Sequence, residues 1–465
     1  MNTIPEISSP NDKTRRFPLF AITMVISVGG FLFGYDLVII SGTILYLEDY
    51  FHLSPFYFGL VGGSASLGCI AGPLAGMWLA DAIGRKKTLL FAGVCFALSA
   101  IGTAVAVNLA PFIFWRWLGG VGVGLSSGVS PMYIAELAPA RLRGRLVTVN
   151  QLLNVIGINL AVVVAYFLSF GDHWRLMFAS EIIPIAILMI GLLFVPDSPR
   201  WLAAKGKREK ALAILAGING RRQAETEMRE IDDELTRESG HFRELLQPGV
   251  RFALFLGVLL MIFQQINGVG VVMLYAPTLL IKAGIGSPTN ALLNSLCIYV
   301  LILLCTILSL WLVNWFGRKP ILIVGVTFMG LGHILLRFAF VQNWPPRWIL
   351  APILLCAGAF TLSIAPLGWV IVAEIFPNRI RGKAMSVVCF FLFCSSYVCV
   401  QLFPMIIDYF NRHFGNPGNA YLIFSAICFT CVLFCWRMIP ETKDLSLEQI
   451  GKFWLDRDHK NHRHE

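Results

Sequence analysis

Charge is what this chain has least of. Only 14% of its 465 residues are Asp, Glu, Lys or Arg, where a soluble domain carries about a quarter. Hydrophobic residues make up 57% and the mean hydropathy is +0.71, which excludes an ordinary soluble globule. The eleven cysteines, from Cys69 to Cys435, all fall inside apolar stretches, and none stands in a spacing that implies a disulfide or metal framework. Also missing is any Ser/His/Asp, phosphate-loop or metal-ligand constellation. The chain is therefore not expected to be an enzyme, and no cofactor or metal is expected. His459, His462 and His464 lie among charges near the C-terminus and read as part of a solvated tail. Met1 to Arg16 are polar, and the apolar stretch that follows is too long for a cleavable signal.

What is present is a series of apolar runs of the length needed to cross a bilayer, about 20 residues each. They cover 17–45, 56–80, 88–107, 111–137, 147–170 and 175–195, then 250–281, 288–313, 321–342, 347–375, 385–410 and 419–439. This pattern predicts an all-α multi-pass membrane protein with twelve spans. The formal net charge of +10 does not point to nucleic acid, because the basic residues sit in alternate loops. Arg85, Lys86 and Lys87 share one loop, Arg141, Arg143 and Arg145 the next but one; Arg318 with Lys319, and Arg379, Arg381 and Lys383, follow. The intervening loops hold Glu48 and Asp49 and isolated Arg175, Lys282, Arg347 and Arg412. By the positive-inside rule both termini and the central segment are cytoplasmic, in a cell membrane. The partners expected are the lipid bilayer, a small-molecule substrate and protons, with the protein working as a monomer.

From 196 to 249 the apolar character lapses. Apolar spacing around Ala211 to Leu215 and a polar helical pattern from Arg221 to Arg237 predict one to three short amphipathic helices on the cytoplasmic face. The expected division is a tail at 1–16, a bundle at 17–195, this helical segment at 196–249, a second bundle at 250–439 and a tail at 440–465. An internal repeat supports it. LADAIGRKKTLLFAG, from Leu79, matches LVNWFGRKPILIVG, from Leu312, at an offset of 233 residues. YIAELAPARLRGR, from Tyr133, matches IVAEIFPNRIRGK, from Ile371, and aligns Glu136 with Glu374, Arg141 with Arg379 and Arg143 with Arg381. PDSPRWL, from Pro196, pairs with PETKD, from Pro440. Two homologous halves of six spans place a substrate site at their interface, near the membrane midplane.

Within the first run, GGFLFGYD puts Asp36 into a stretch from Phe17 to Leu47 that carries no other charge. At about 1.5 Å per residue it lies roughly 30 Å beyond Arg16 and roughly 18 Å short of Glu48. A carboxylate at that depth is costly unless protonated or paired, and such acids mark ion or proton pathways. The plain alternative is a polar residue that only fixes helix packing.

The GRKK and GRKP loops, the two AE…RxRG segments, PDSPRWL and PETK together resemble the sugar-porter branch of the major facilitator superfamily over nearly the whole chain. The resemblance implies twelve helices in two pseudo-symmetric six-helix bundles, a cytoplasmic helical segment between them and alternating access by rocking of the bundles. It further implies that Asp81, Glu136 and Glu374 pair with Arg85, Arg141, Arg143, Arg318, Arg379 and Arg381 at the cytoplasmic ends in the outward-facing state. The alternative for these arginines is a topology signal alone. Three places depart from the pattern: Met77 where Gly is frequent, Asp197 where Glu is usual, and Asp444 where Gly is common.

FGYD is similar to the first helix of proton-coupled sugar porters, which makes Asp36 the expected protonatable residue and Arg116, the only charge between Lys87 and Glu136, its expected partner. By the same resemblance, Phe33, Gln151, Gln264, Gln265 and Trp369 match positions that bind sugar. Amides suit hydroxyls because they both donate and accept, and an indole offers an apolar face with an N–H; helix packing is the alternative role. Gly270, Leu274, Ile302, Leu392 and Phe393 replace polar or aromatic residues usual in the family, so the solute is as readily a polyol, a deoxy sugar or a non-sugar solute as a glucose or a xylose. The expectation is a secondary active transporter that carries a sugar or sugar-like solute into the cell with protons. An uncoupled facilitator and a transporter-like nutrient sensor are the alternatives.

Overall fold

The computed structural model describes residues 19–171, 173–236, 242–247, 250–282, 284, 286–376, 380–439 and 441; the predicted N-terminal tail, the predicted C-terminal tail apart from Glu441, and Arg379 lie outside them. Among the described residues every regular element is helical. Eleven helices are long and apolar enough to cross a membrane: α1 (Leu19–Phe51), α2 (Pro55–Ile83), α3 (Arg85–Val105), α5 (Arg141–Gly171), α6 (Trp174–Phe194), α7 (Val250–Leu274), α8 (Pro288–Leu312), α9 (Arg318–Val341), α10 (Pro346–Ile375), α11 (Arg381–Phe414) and α12 (Pro417–Met438). The remaining long helix, α4 (Leu109–Leu137), is 29 residues long. Its run of Gly119, Gly120, Gly122 and Gly124, with Arg116, dilutes its hydropathy, yet it packs between α2 and α3 as a spanning helix does. Twelve helices thus form the all-helical multi-pass fold. Trp78, Trp311, Trp315 and Trp436 are highly exposed near the ends of α2, α8 and α12 that lie on the Arg85 side, an arrangement typical of aromatic residues at a membrane interface.

The helices overrun the predicted runs at several ends, as α11 does on both sides, because charged residues extend a helix past the hydrocarbon without interrupting its hydrogen bonds. Four predicted spans are also interrupted. α2 turns at Ile70 and Ala71, three residues before Pro73, and α6 at Ser180 and Glu181, three residues before Pro184. α7 breaks at Asn267 and Gly268, where Gly268 has φ of 87°, and α10 breaks at Ser363, three residues before Pro366. Proline removes one backbone donor and opens the helix behind it.

Close helix contacts follow from small residues. A Cβ on Gly34 would lie 2.1 Å from the Asn154 carbonyl oxygen, and one on Gly157 would lie 2.2 Å from that of Phe31, so α1 and α5 touch backbone to backbone. Between the halves, α2 meets α11: Gln401 Nε2 donates to the Phe56 carbonyl at 2.9 Å, and a Cβ on Gly59 would meet the Gln401 carbonyl. Ser169 Oγ donates to Thr289 Oγ1 at 3.0 Å, joining α5 to the start of α8. Both contacts lie on the Glu48 side, opposite the Arg85 loop.

The central segment forms three short helices, Pro199–Ala204, Arg208–Asn219 and Arg221–Thr236. Leu202, Ala211, Leu215, Ala224 and Met228 close a small core of their own. Ser198 caps the first of them by accepting from Trp201 N at 3.1 Å.

Candidate functional site

Asp36, Arg116 and Glu181 meet in the interior of the N-terminal half. Asp36 is 0%, Arg116 1% and Glu181 1% exposed. Arg116 Nη1 donates to Asp36 Oδ1 at 2.6 Å and Nη2 to the Asp36 main-chain carbonyl at 2.9 Å, while the guanidinium carbon lies 5.5 Å from the Phe178 ring centroid. Gly119, one turn past Arg116, leaves room for this pair: a Cβ there would collide with Ser99 and lie 3.4 Å from Asp36 Oδ1.

Glu181 completes the cluster and was not among the expected site residues. It sits at the break in α6, and Tyr35, beside Asp36, bonds to the adjacent Ser180 at 2.6 Å. Its carboxyl group lies within interaction range of both Asp36 and Arg116. No N–H or hydroxyl donor among the described residues reaches its oxygens or Asp36 Oδ2, and the two carboxyl groups lie against one another. Two carboxyl groups facing one guanidinium in a buried site cannot both hold a charge cheaply. The arrangement balances when the two acids together carry one proton. The signal was available in the sequence, since Glu181 is the only acid in the run 175–195.

The expected solute residues divide between the halves. Phe33 lies on α1, one turn before Asp36, and is half-buried. Gln151 is exposed on α5, next to Asn150, which packs against Gly30. In the other half, Gln264 is buried, and its Nε2 donates to the carbonyls of Ile364 at 3.1 Å and Ala365 at 3.0 Å. This ties α7 to α10 just past the break at Ser363. Its Oε1 has no partner among the described residues. Gly368 lies against the same amide, and the next residue, Trp369, is 39% exposed. Gln265 is half-buried. Gly270 is exposed, and a Cβ there would meet nothing within 4 Å, whereas Ile302, Leu392 and Phe393 are buried and Leu274 is half-buried.

The motif residues form two related clusters on the Arg85 side. Arg85 donates to Asp81 Oδ1 at 2.9 Å and to Glu136 Oε1 at 2.8 Å, and Ser198 donates to Glu136 Oε2 at 2.5 Å. Trp201 Nε1 donates to the Asp81 carbonyl at 3.1 Å, so PDSPRWL is docked on this ion pair. In the other half Arg318 pairs with Glu374 at 3.2 Å, and the Glu441 carboxylate accepts from Arg318 N at 3.0 Å and Lys319 N at 3.1 Å. An anion at a helix N-terminus meets free N–H groups and the positive end of the dipole. Arg381 donates to the Phe376 carbonyl at 3.3 Å, and Arg141, Arg143 and Arg145 are exposed. Each of these ion pairs joins residues of one half.

A family model described as "Sugar (and other) transporter" matches residues 22–454. The chain belongs to this family. It is 36% identical to the arabinose-proton symporter of Bacillus subtilis, over 98% of this chain and 100% of that protein. It is 38% identical to the D-xylose-proton symporter of Escherichia coli, over 94% and 96%. Among solved structures, the inward open conformation of the xylose transporter XylE from Escherichia coli superposes with a TM-score of 0.83 at 35% identity, covering 94% of this chain and 100% of that one. The fold is thus that of the major facilitator superfamily, and the protein is a transporter and not an enzyme.

Proposed function

We propose that this protein brings a sugar or sugar-like solute across the cell membrane together with a proton, by alternating access between its two halves. The observation that carries this reading is the buried cluster of two acids and one guanidinium. A structural ion pair needs one acid per base; the second, Glu181, gives the site somewhere to hold a proton. With the proton bound, the cluster is neutral and its helices repack freely. Without it, an uncompensated charge ties α1 to α4 and α6. Arg116 does not release its own proton, so the acids alone alternate.

Symport to the xylose and arabinose relatives' named solutes is consistent with this chemistry, and the solute lies between α1 and α5 on one side and α7 and α10 on the other. Gln264 Oε1 supplies an acceptor, Gln265 and Gln151 supply amides, and Phe33 and Trp369 supply faces for the C–H surface of a ring. The breaks in α7 and α10 let their solute-facing segments tilt without moving the whole helix, as discontinuous helices do in other transporters. The Arg85 side is cytoplasmic by its basic loops, which places both termini inside, and a monomer contains every residue named. The halves are 17–195 and 250–439, with 196–249 as the intracellular segment.

One proton entering across 100 mV contributes about 2.3 kcal/mol, enough for roughly 50-fold accumulation. The test is uptake of labelled D-xylose, arabinose, D-glucose and myo-inositol into proteoliposomes under an imposed pH gradient, with Asp36→Asn in parallel. Accumulation by the native chain that collapses to equilibration in the variant is the expected outcome. Accumulation by Asp36→Asn that still follows the proton gradient overturns the coupling, and equilibration by both makes the protein a facilitator.

A further inference from the structure

On the Glu48 side, above the seam between α2 and α11, lies a cleft of about 450 Å³ formed by both halves. Its lining includes three buried aromatic rings that stack on one another. Tyr275 lies 5.4 Å from Phe58 of the N-terminal half and 5.4 Å from Phe403 of its own half, nearly parallel to both. The Tyr275 hydroxyl donates to the Val400 carbonyl at 3.3 Å and fits over Gly62, where a Cβ would come within 2.4 Å of it.

The walls are polar. Glu48 comes from the end of α1, Lys282 from the Ala276–Lys282 helix that follows α7, and Asp408 and Asn411 from α11. Arg412 takes up the charge of Asp408 at 2.9 Å, and Lys282 lies near enough to Glu48 for their charges to act on one another. The walls therefore select no ion by net charge, yet offer carboxylate acceptors beside ammonium and amide donors. Thr278 also lines the cleft; it is 4% exposed, and its hydroxyl has no hydrogen-bond partner among the described residues. Neutral-sum polar walls beside Leu53, Leu279 and Ile407 suit a solute that carries hydroxyls around an apolar ring, and the volume is in the usual range for small-molecule sites, about 300–1,000 Å³.

We propose that this cleft is a second, outer binding site for a neutral polyhydroxylated solute, distinct from the solute site proposed beside Gln264. It rests on the transport reading above for its choice of solute. Because its walls come from both halves, it exists only while the α2–α11 seam is closed. A ligand that binds one state alone shifts the population toward that state, so an occupant keeps the outer side shut and slows the return to the outward-facing form.

The test uses the full chain with Asn411→Cys, alkylated from outside by a membrane-impermeant maleimide and read at position 411 by mass spectrometry. D-xylose, arabinose, D-glucose and myo-inositol are added in turn. Bound solute slows alkylation by the factor 1 + [L]/Kd, about elevenfold at ten times Kd. The expected result is that at least one of them slows labelling, and does so equally after Gln264→Ala, which removes an amide of the solute site proposed above. Adding Thr278→Val should weaken the protection. Labelling unaffected by all four, or protection that disappears with Gln264→Ala, overturns the proposal. Protection at 411 without uptake of any of the four would keep the outer site and remove the transport reading for these solutes; uptake without protection would do the reverse.

Discussion

Arg116 grips Asp36 twice, by the side-chain oxygen at 2.6 Å and by the main-chain carbonyl at 2.9 Å. A single guanidinium therefore holds both the charge of the residue and the helix backbone at the same point. Only a planar fork does this; an ammonium is a point charge with no second arm at that geometry.

Arg116→Ala leaves two buried acids without a base. Breaking a buried pair by removing one partner costs about 3–5 kcal/mol, so the variant should unfold at lower temperature in detergent and should not accumulate solute. Arg116→Lys keeps the charge and loses the fork, and should fall between. Thermal unfolding followed beside uptake checks both; a stable, accumulating Arg116→Ala would contradict the role assigned to this contact.

Glu181→Gln keeps the size of the side chain and removes its proton site, while Asp36 and Arg116 remain paired. Solute counterflow, which needs no net proton movement, should survive. Accumulation driven by a pH gradient should drop at least tenfold, equivalent to about 1.4 kcal/mol of lost coupling. Equal losses in both assays would mean that Glu181 serves the fold alone.

Asp36 was legible because a lone acid in an apolar run has no inexpensive explanation, and Arg116 because the resemblance to proton-coupled sugar porters named it as the partner. Glu181 satisfies the same criterion in the run 175–195, but no motif marked it, and its neighbourhood with Asp36 arises from the packing of α1 against α6. The repeat disclosed the two related clusters around Arg85 and Arg318 before any geometry was known. The breaks in α7 and α10 stayed hidden because apolar residues continue on both sides of Asn267 and Ser363, and hydropathy does not register a turn. What ties Gln264 to α10 is two main-chain carbonyls, which no residue pattern announces.

Gly268→Ala tests the α7 break. With φ at 87°, any side chain there is strained, by roughly 1–2 kcal/mol, and a Cβ would sit 2.4 Å from the Phe424 ring. Lower thermal stability and slower transport are expected. Adding Phe424→Ala relieves the collision but not the dihedral strain, so it should restore part of the rate. Full activity in Gly268→Ala would show that the break does not depend on glycine.

Gly270→Asn addresses the solute itself. The residue lies in the first turn of the second segment of α7, beyond Gln264 and Gln265, is exposed, and has nothing within 4 Å of the position its Cβ would take. A Cβ is accommodated there without moving a neighbour, and an asparagine adds a donor and an acceptor on the helix that carries both glutamines. One further hydrogen bond contributes about 0.5–1.5 kcal/mol, which corresponds to roughly two- to twelvefold in KM. If a hydroxyl-bearing solute passes beside α7, the KM of Gly270→Asn for at least one sugar or polyol should fall by such a factor. The same substitution should leave an apolar solute unaffected. A KM unchanged or raised for every hydroxylated solute would place the transport path away from this face of α7.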